Sequence, residues 1–279
     1  MIDQLQSNLG SMTKALEIVY TLEGVKPAAR IIVDEEKVSE IKKLLEEHKL
    51  NIAVSDFKIK KEIDSSRNFS DKGIKLSRDS EEKGQFFLYI SKDKEKALLA
   101  KKLEEENKHK ELGIALGYPE CCSEFFEKNF PTELKKQNDY TLATLRNSSG
   151  YKFPFYNNIA VRHLDLTLLS HFPCSFNCAK SIITAKKHLI CVEKHSRELS
   201  LIFRGMLKGA VIYTENSGVF LLRKFKLDNN QASYSGIMAT ANNDFYAKLK
   251  KNERIYVIDK NHIRINNEEF RDIGFMVFE

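Results

Sequence analysis

No stretch of the 279 residues is apolar for long enough to cross a membrane. The longest candidate, SLIFRGMLKGAVIY (200–213), is broken by Arg204, Lys208 and two glycines. The opening residues MIDQLQSNLGSMTKALEIVY lack a basic segment followed by an apolar core, so no signal peptide and a cytoplasmic location are expected. Cysteine is scarce and odd in number, five in all, which argues against a disulfide framework and for reduced thiols. Familiar signatures are missing too. There is no G-x-G-x-x-G, G-x-x-x-x-G-K-[ST], H-E-x-x-H or G-x-S-x-G, which removes many nucleotide-driven and hydrolytic chemistries. The C-x3-C-x2-C run of sulfonium-dependent radical chemistry is absent as well.

Charge of one sign is not concentrated anywhere. The formal net charge is +6, yet lysines alternate with glutamates in KKLLEEHK (42–49) and KKLEEENKHKEL (101–112), the texture of solvated helix faces. FKIKKEI (57–63) and LLRKFKL (221–227) are the nearest approach to a basic stripe, and both are short. Nucleic acid is therefore a weakly supported partner, and a small anionic substrate is the preferred one.

Three textures follow one another and predict an α+β fold. Residues 1–64 read as a small α/β unit: a helix, the β-branched run ARIIVD, the amphipathic VSEIKKLLEEHKL and the strand NIAVSDFKI. Residues 65–85 are polar and aperiodic, and are expected to be a linker or mobile loop. Residues 86–199 begin with the strand FFLYIS and continue as a helical region. It holds one long helix from about Asp93 to Ala115, a second from Pro119 to Pro131, and an amphipathic one through HFPCSFNCAKSIITAKKHLICVEKHSREL. Residues 200–279 are β-rich, with DKNH (259–262) reading as a hairpin turn.

What is present, against this sparse background, is two cysteine pairs. In YPECC and FPCSFNC a proline stands where a helix should begin, with Cys121 and Cys122 after Pro119, and Cys174 and Cys178 after Pro173. A helix N-terminus favours thiolate over thiol, so both pairs are primed for metal binding. Two such pairs among five cysteines argue that four sulfurs meet as ligands. A C-x3-C pair on a helix is separated by about 5–6 Å at Cβ, wide for one zinc ion, and this favours an iron–sulfur cluster over zinc. A disulfide switch and inert packing are the alternatives.

His171 stands three residues before Cys174 and is the candidate proton donor or acceptor. Arg162, His163 and Asp165 are expected one helix earlier, with Asn157 and Asn158 as caps. Cys191 is expected in the core, and His188 and His195 in solvent.

LGYPECCSEFF followed by HFPCSFNC resembles an uncharacterised prokaryotic family, domain-of-unknown-function family 483, over residues 86–279. The resemblance implies that Cys121, Cys122, His171, Cys174 and Cys178 act as one unit, and it brings no activity. The chemistry expected of such a unit is redox or sulfur transfer on a small anionic substrate. The other expectation is a structural zinc module in a nucleic-acid- or protein-binding protein.

Overall fold

The β-branched run Ala29–Asp34 forms β1 behind two short helices, α1 (Ile2–Leu9) and α2 (Met12–Leu22). These elements belong to a computed structural model that describes residues 1–62, 72–136, 138–252 and 254–279. The amphipathic α3 (Val38–Glu47) follows, then β2 (Asn51–Val54), β3 (Phe57–Lys61), β4 (Gly73–Ser77) and β5 (Gln85–Ser91). Ser55 and Asp56 break the expected single strand NIAVSDFKI into β2 and β3.

β5 is the organising strand of this front sheet. It pairs antiparallel with β1 from Gln85 to Ile90 and with β2 from Leu88 to Ser91, while β3 joins through Ile59 opposite Gln85. FFLYIS thus belongs to the front sheet rather than standing at the head of the helical region. Part of the expected linker is a strand as well: β4 pairs with β3 from Gly73 opposite Lys61 to Ser77 opposite Phe57. It is mostly exposed, and its short alternation Ile74-Lys75-Leu76-Ser77 is lost among the polar residues around it. Residues 65–71 of that expectation lie outside the described residues.

The middle of the chain contains α4 (Lys94–Glu105), α5 (His109–Ala115), α6 (Glu120–Glu133) and α7 (Thr141–Arg146). A two-residue strand β6 (Lys152–Phe153), α8 (Ala179–His195) and α9 (Arg197–Met206) follow. The single helix expected from Asp93 to Ala115 is two, because Asn107 turns left-handed at φ 55° and Lys108 N–H closes back on the Leu103 carbonyl at 2.9 Å. Pro131 does not stop α6, since Leu134 N–H still reaches the Phe130 carbonyl at 3.0 Å.

The tail holds β7 (Gly209–Thr214), β8 (Gly218–Leu222), β9 (Lys226–Asp228), β10 (Gln231–Ser233), β11 (Ile237–Ala239) and α10 (Asp244–Asn252). It ends in β12 (Arg254–Asp259), β13 (His262–Ile265), β14 (Glu268–Arg271) and β15 (Gly274–Phe278), with β12 and β13 forming the expected hairpin. One sheet runs β11-β8-β7-β15-β6 and the other β14-β13-β12-β10-β9.

β7, β8 and β15 are buried on both faces, and the alternation of their side chains assigns each to a core. Val211, Tyr213, Val219, Leu221 and Met276 join a core shared with α2, α8 and β5. Their neighbours Ala210, Ile212, Phe220, Leu222 and Phe275 join a second core against β12 and β13. The first core therefore joins the front, the middle and the tail, and the fold is α+β as expected. Among the described residues no helix is long and apolar enough to cross a membrane.

Candidate metal centre

Gly117 begins the site. It ends α5 with φ +82°, a left-handed conformation, and an added Cβ would lie 2.6 Å from Pro27 Cδ. Tyr118 N–H bonds back to the Gly113 carbonyl at 2.9 Å, so the chain reverses at once into α6. Pro119 is the N-cap of that helix, one position earlier than expected, and Cys121 and Cys122 occupy its first turn.

The second pair is built differently from the expectation. Pro173 does not start a helix: α8 begins at Ala179, with Cys178 as its N-cap, so Cys174 lies in an irregular loop. The loop is tight, with Cys178 N–H on the Ser175 carbonyl at 3.0 Å. Leaving the helix removes the 5–6 Å constraint that argued against a single ion.

Four sulfurs meet. Cys178 Sγ is 3.8 Å from Cys121 Sγ and 3.8 Å from Cys122 Sγ, and the latter two are 4.0 Å apart. With Cys174 included, all four sulfurs lie within 4.8 Å of one another, a group able to hold a metal ion. A tetrahedron with metal–sulfur bonds of about 2.3 Å has edges of about 3.8 Å, which the spacings among Cys121, Cys122 and Cys178 match.

Backbone and side chains outside the ligand set fix this arrangement. Cys174 N–H points at Cys122 Sγ from 3.4 Å, the kind of contact that tempers thiolate charge. Thr144 Oγ1 donates to the Pro173 carbonyl at 2.9 Å, and Asn147 Nδ2 to the Cys174 carbonyl at 2.6 Å. Asn157 Nδ2 donates to the Phe176 carbonyl at 3.1 Å, and Phe176 N–H to Ser148 Oγ at 2.8 Å. Phe176 itself is fully buried between Phe153 and Phe278, with ring centroids 5.0 and 5.4 Å away. Thr144, Asn147 and Ser148 carried no periodic or motif signal. Their density of short polar residues before Gly150 was the one hint of a loop-holding segment.

Protonation follows from the crowding. Without metal, Cys178 is pulled down to about 2 because Cys122, then Cys174, donate S–H bonds to its sulfur. Cys122 is pushed the other way by its bonds to Cys174 and Cys178 and by burial. A metal must therefore displace thiol protons, and its affinity falls as pH falls.

His171 is not a ligand. It is buried, its Nε2 shares a 3.0 Å hydrogen bond with Ser181 Oγ, and its ring lies 5.0 Å from that of Tyr118. Burial, reinforced by Lys26, lowers its pKa to about 3, so the ring is neutral at pH 7. It shares with Cys122 the wall of a cavity of about 280 Å³ between the front sheet and α5–α6.

The other expected polar groups do structural work. Arg162 and His163 sit on a 3-10 turn, not a longer helix, and pair with Asp139 at 2.9 and 3.2 Å. Tyr213 of β7 donates to the same carboxylate. Burial would raise the Asp139 pKa, but Arg162, His163 and Tyr213 together hold it well below the usual carboxylate range. Asp165 caps α2 from across the chain, accepting from Ser11 Oγ at 2.7 Å and Thr13 N–H at 3.0 Å. Asn158 reaches the Leu207 carbonyl at 2.8 Å, so neither asparagine caps a local helix.

Cys191 is buried in the core as expected. His188 is buried too, against expectation: it stacks on Tyr20 at 4.0 Å, and its Nδ1 donates to the Leu168 carbonyl at 2.7 Å. Only His195 keeps partial exposure, on Glu23 at 2.9 Å.

No family model, curated protein or solved structure matches the chain. The resemblance to family 483 rests on the cysteine motifs alone.

Proposed function

We propose that the chain is a zinc protein in which one tetrathiolate ion, held by Cys121, Cys122, Cys174 and Cys178, clamps the 170–178 loop to the start of α6. The observation that carries this is the sulfur spacing: 3.8–4.0 Å among Cys121, Cys122 and Cys178, with Cys174 bringing all four within 4.8 Å. The three shorter spacings match the edges of a tetrahedron around one ion. The thiolates of a cubane cluster stand on separate irons, roughly 6 Å apart, so the cluster favoured from sequence fits less well. Four protein sulfurs fill a tetrahedral shell, the mark of a structural centre rather than one with a position open to substrate. Zinc there stabilises the fold directly, because metal-binding free energy becomes folding free energy for a loop without regular backbone hydrogen bonds.

One observation favours an enzyme instead. Cys122 and His171 both line the cavity beside the centre, so a ligand there would meet a metal thiolate. His171 is poorly suited to deliver a proton, being neutral and already bonded to Ser181. Redox or sulfur-transfer chemistry would then fall to Cys122 alone.

Metal and acid-labile sulfide analysis, with a visible spectrum on protein purified without oxygen, tests the assignment. The expected result is one zinc per chain in a colourless protein without sulfide. A brown protein carrying iron and sulfide would overturn it.

A further inference from the structure

The cavity on the Cys122 side has a composition that the metal centre does not account for. It lies between the edge of the front sheet and the α5–α6 pair, and aromatic rings stand on both sides. The sheet supplies Phe57 and Phe87, in edge contact at 5.8 Å. The helices supply Phe126 and Phe130, at 5.8 Å, with His109 against Phe130 at 4.1 Å. Phe87, Phe126 and Phe130 are only half-buried. Protein interiors are close-packed, and rings left around an open space forgo the dispersion contacts that packing would give. Aromatic side chains on opposite walls make the slot complementary to a flat ring system.

The charges select further. Arg30 and Glu104 both line the slot but are paired with each other, so they cancel. His109 is half-buried and its pKa is lowered by that burial, and His171 is neutral. Lys75 lies 3.9 Å from the Phe57 ring centroid, lines the same slot and is exposed at its mouth. Among the described residues, no carboxylate lies within ion-pair distance of it. The slot therefore carries, among the described residues, one positive charge without a carboxylate partner, on Lys75, where an ammonium acts as a point charge for phosphate. Its volume, about 280 Å³, lies just below the usual range of ligand pockets, roughly 300–1,000 Å³, which limits the occupant to a single small ligand.

We propose that this cavity binds a nucleoside monophosphate, with the base between the Phe57/Phe87 wall and the Phe126/Phe130 wall and the phosphate at Lys75. The site is separate from the metal assignment and would survive its failure.

Calorimetric titration of the full chain as purified, with AMP, GMP, CMP and UMP and with adenosine and inorganic phosphate as controls, tests the proposal. At least one mononucleotide is expected to bind with a Kd below about 1 mM. Adenosine is expected to bind at least about tenfold more weakly than AMP, a difference of about 1.4 kcal/mol, and phosphate not detectably. Lys75→Ala, on an exposed strand position, should weaken the mononucleotide about tenfold and leave adenosine unchanged, whereas Phe126→Leu should weaken both. No binding of any of the four at about 1 mM would overturn the proposal. So would phosphate or adenosine binding as tightly as the mononucleotide, binding unchanged in both variants, or binding of single-stranded oligonucleotide without mononucleotide.

Discussion

The buried sheet of the tail and the 139–178 segment of the middle share one apolar core, yet their backbones are held in different ways. β7, β8 and β15 bury both faces, and their alternating side chains feed two apolar cores, so the hydrophobic effect alone fixes their place. Between α7 and α8 the chain offers only β6 and short 3-10 turns among its described residues. The segment sends Phe153, Phe155, Ile159, Val161, Leu169 and Phe176 into the shared core, but its irregular backbone is pinned by point contacts: Asp139 with Arg162, His163 and Tyr213, the amides of Asn147 and Asn157, and the four cysteine sulfurs. A segment with few helix or ladder hydrogen bonds is ordered by scattered apolar anchors and a few directional interactions, and each of those interactions matters more.

Removing the metal should separate the two regions most. Structural zinc contributes on the order of 10 kcal/mol in small zinc domains. Chelation is therefore expected to lower the Tm by more than about 10 °C and to strip hydrogen-exchange protection from 139–178 while β7, β8 and β15 keep theirs. Equal loss in both regions would erase the distinction drawn here.

Asp139→Asn comes next. It leaves Arg162 and His163 facing a buried neutral group, a loss of about 3–5 kcal/mol in denaturant unfolding. The pH dependence follows from the same carboxylate. Its folded pKa lies below the unfolded value of about 3.9, so its contribution is fully present above that pH and is lost as pH falls through the folded value. The variant should show a flatter acid limb in a stability–pH profile. An unchanged limb would mean that Asp139 does not carry the charge of the network.

Asn147→Ala has a smaller expected effect. The side chain holds the Cys174 carbonyl but is exposed, and partners one step outside a metal's ligands typically alter affinity by about 10–100-fold. Competition with a chromophoric chelator should show at least the lower of these, with little change in the metal-saturated Tm. Cys191→Ala should cost only about 1 kcal/mol and leave metal stoichiometry unchanged, because that thiol belongs to the apolar core. Loss of metal in that variant would place the wrong cysteines in the site.

The same contrast explains what could be read from the sequence. Strands such as GAVIYT and GVFLL, and the four cysteines as a group, were legible because burial and thiolate chemistry restrict residue type at each position. The route by which the sulfurs meet was not. Pro173 mimics a helix start, yet Thr144, Asn147 and Ser148 satisfy the loop's backbone from some thirty residues away, and no local pattern records that. β4 was hidden because the alternation of Ile74 and Leu76 is only two residues deep in an exposed, polar stretch. His188 was misplaced because its neighbours Lys186 and Lys187 suggest solvent, whereas its own ring packs on Tyr20 from a different helix.

X-ray absorption at the metal edge tests the central claim most directly. The account predicts zinc with a single shell of four sulfur neighbours at about 2.3 Å. Iron with a second, metal–metal shell, or a metal whose nearest neighbours are mainly nitrogen or oxygen, would contradict it.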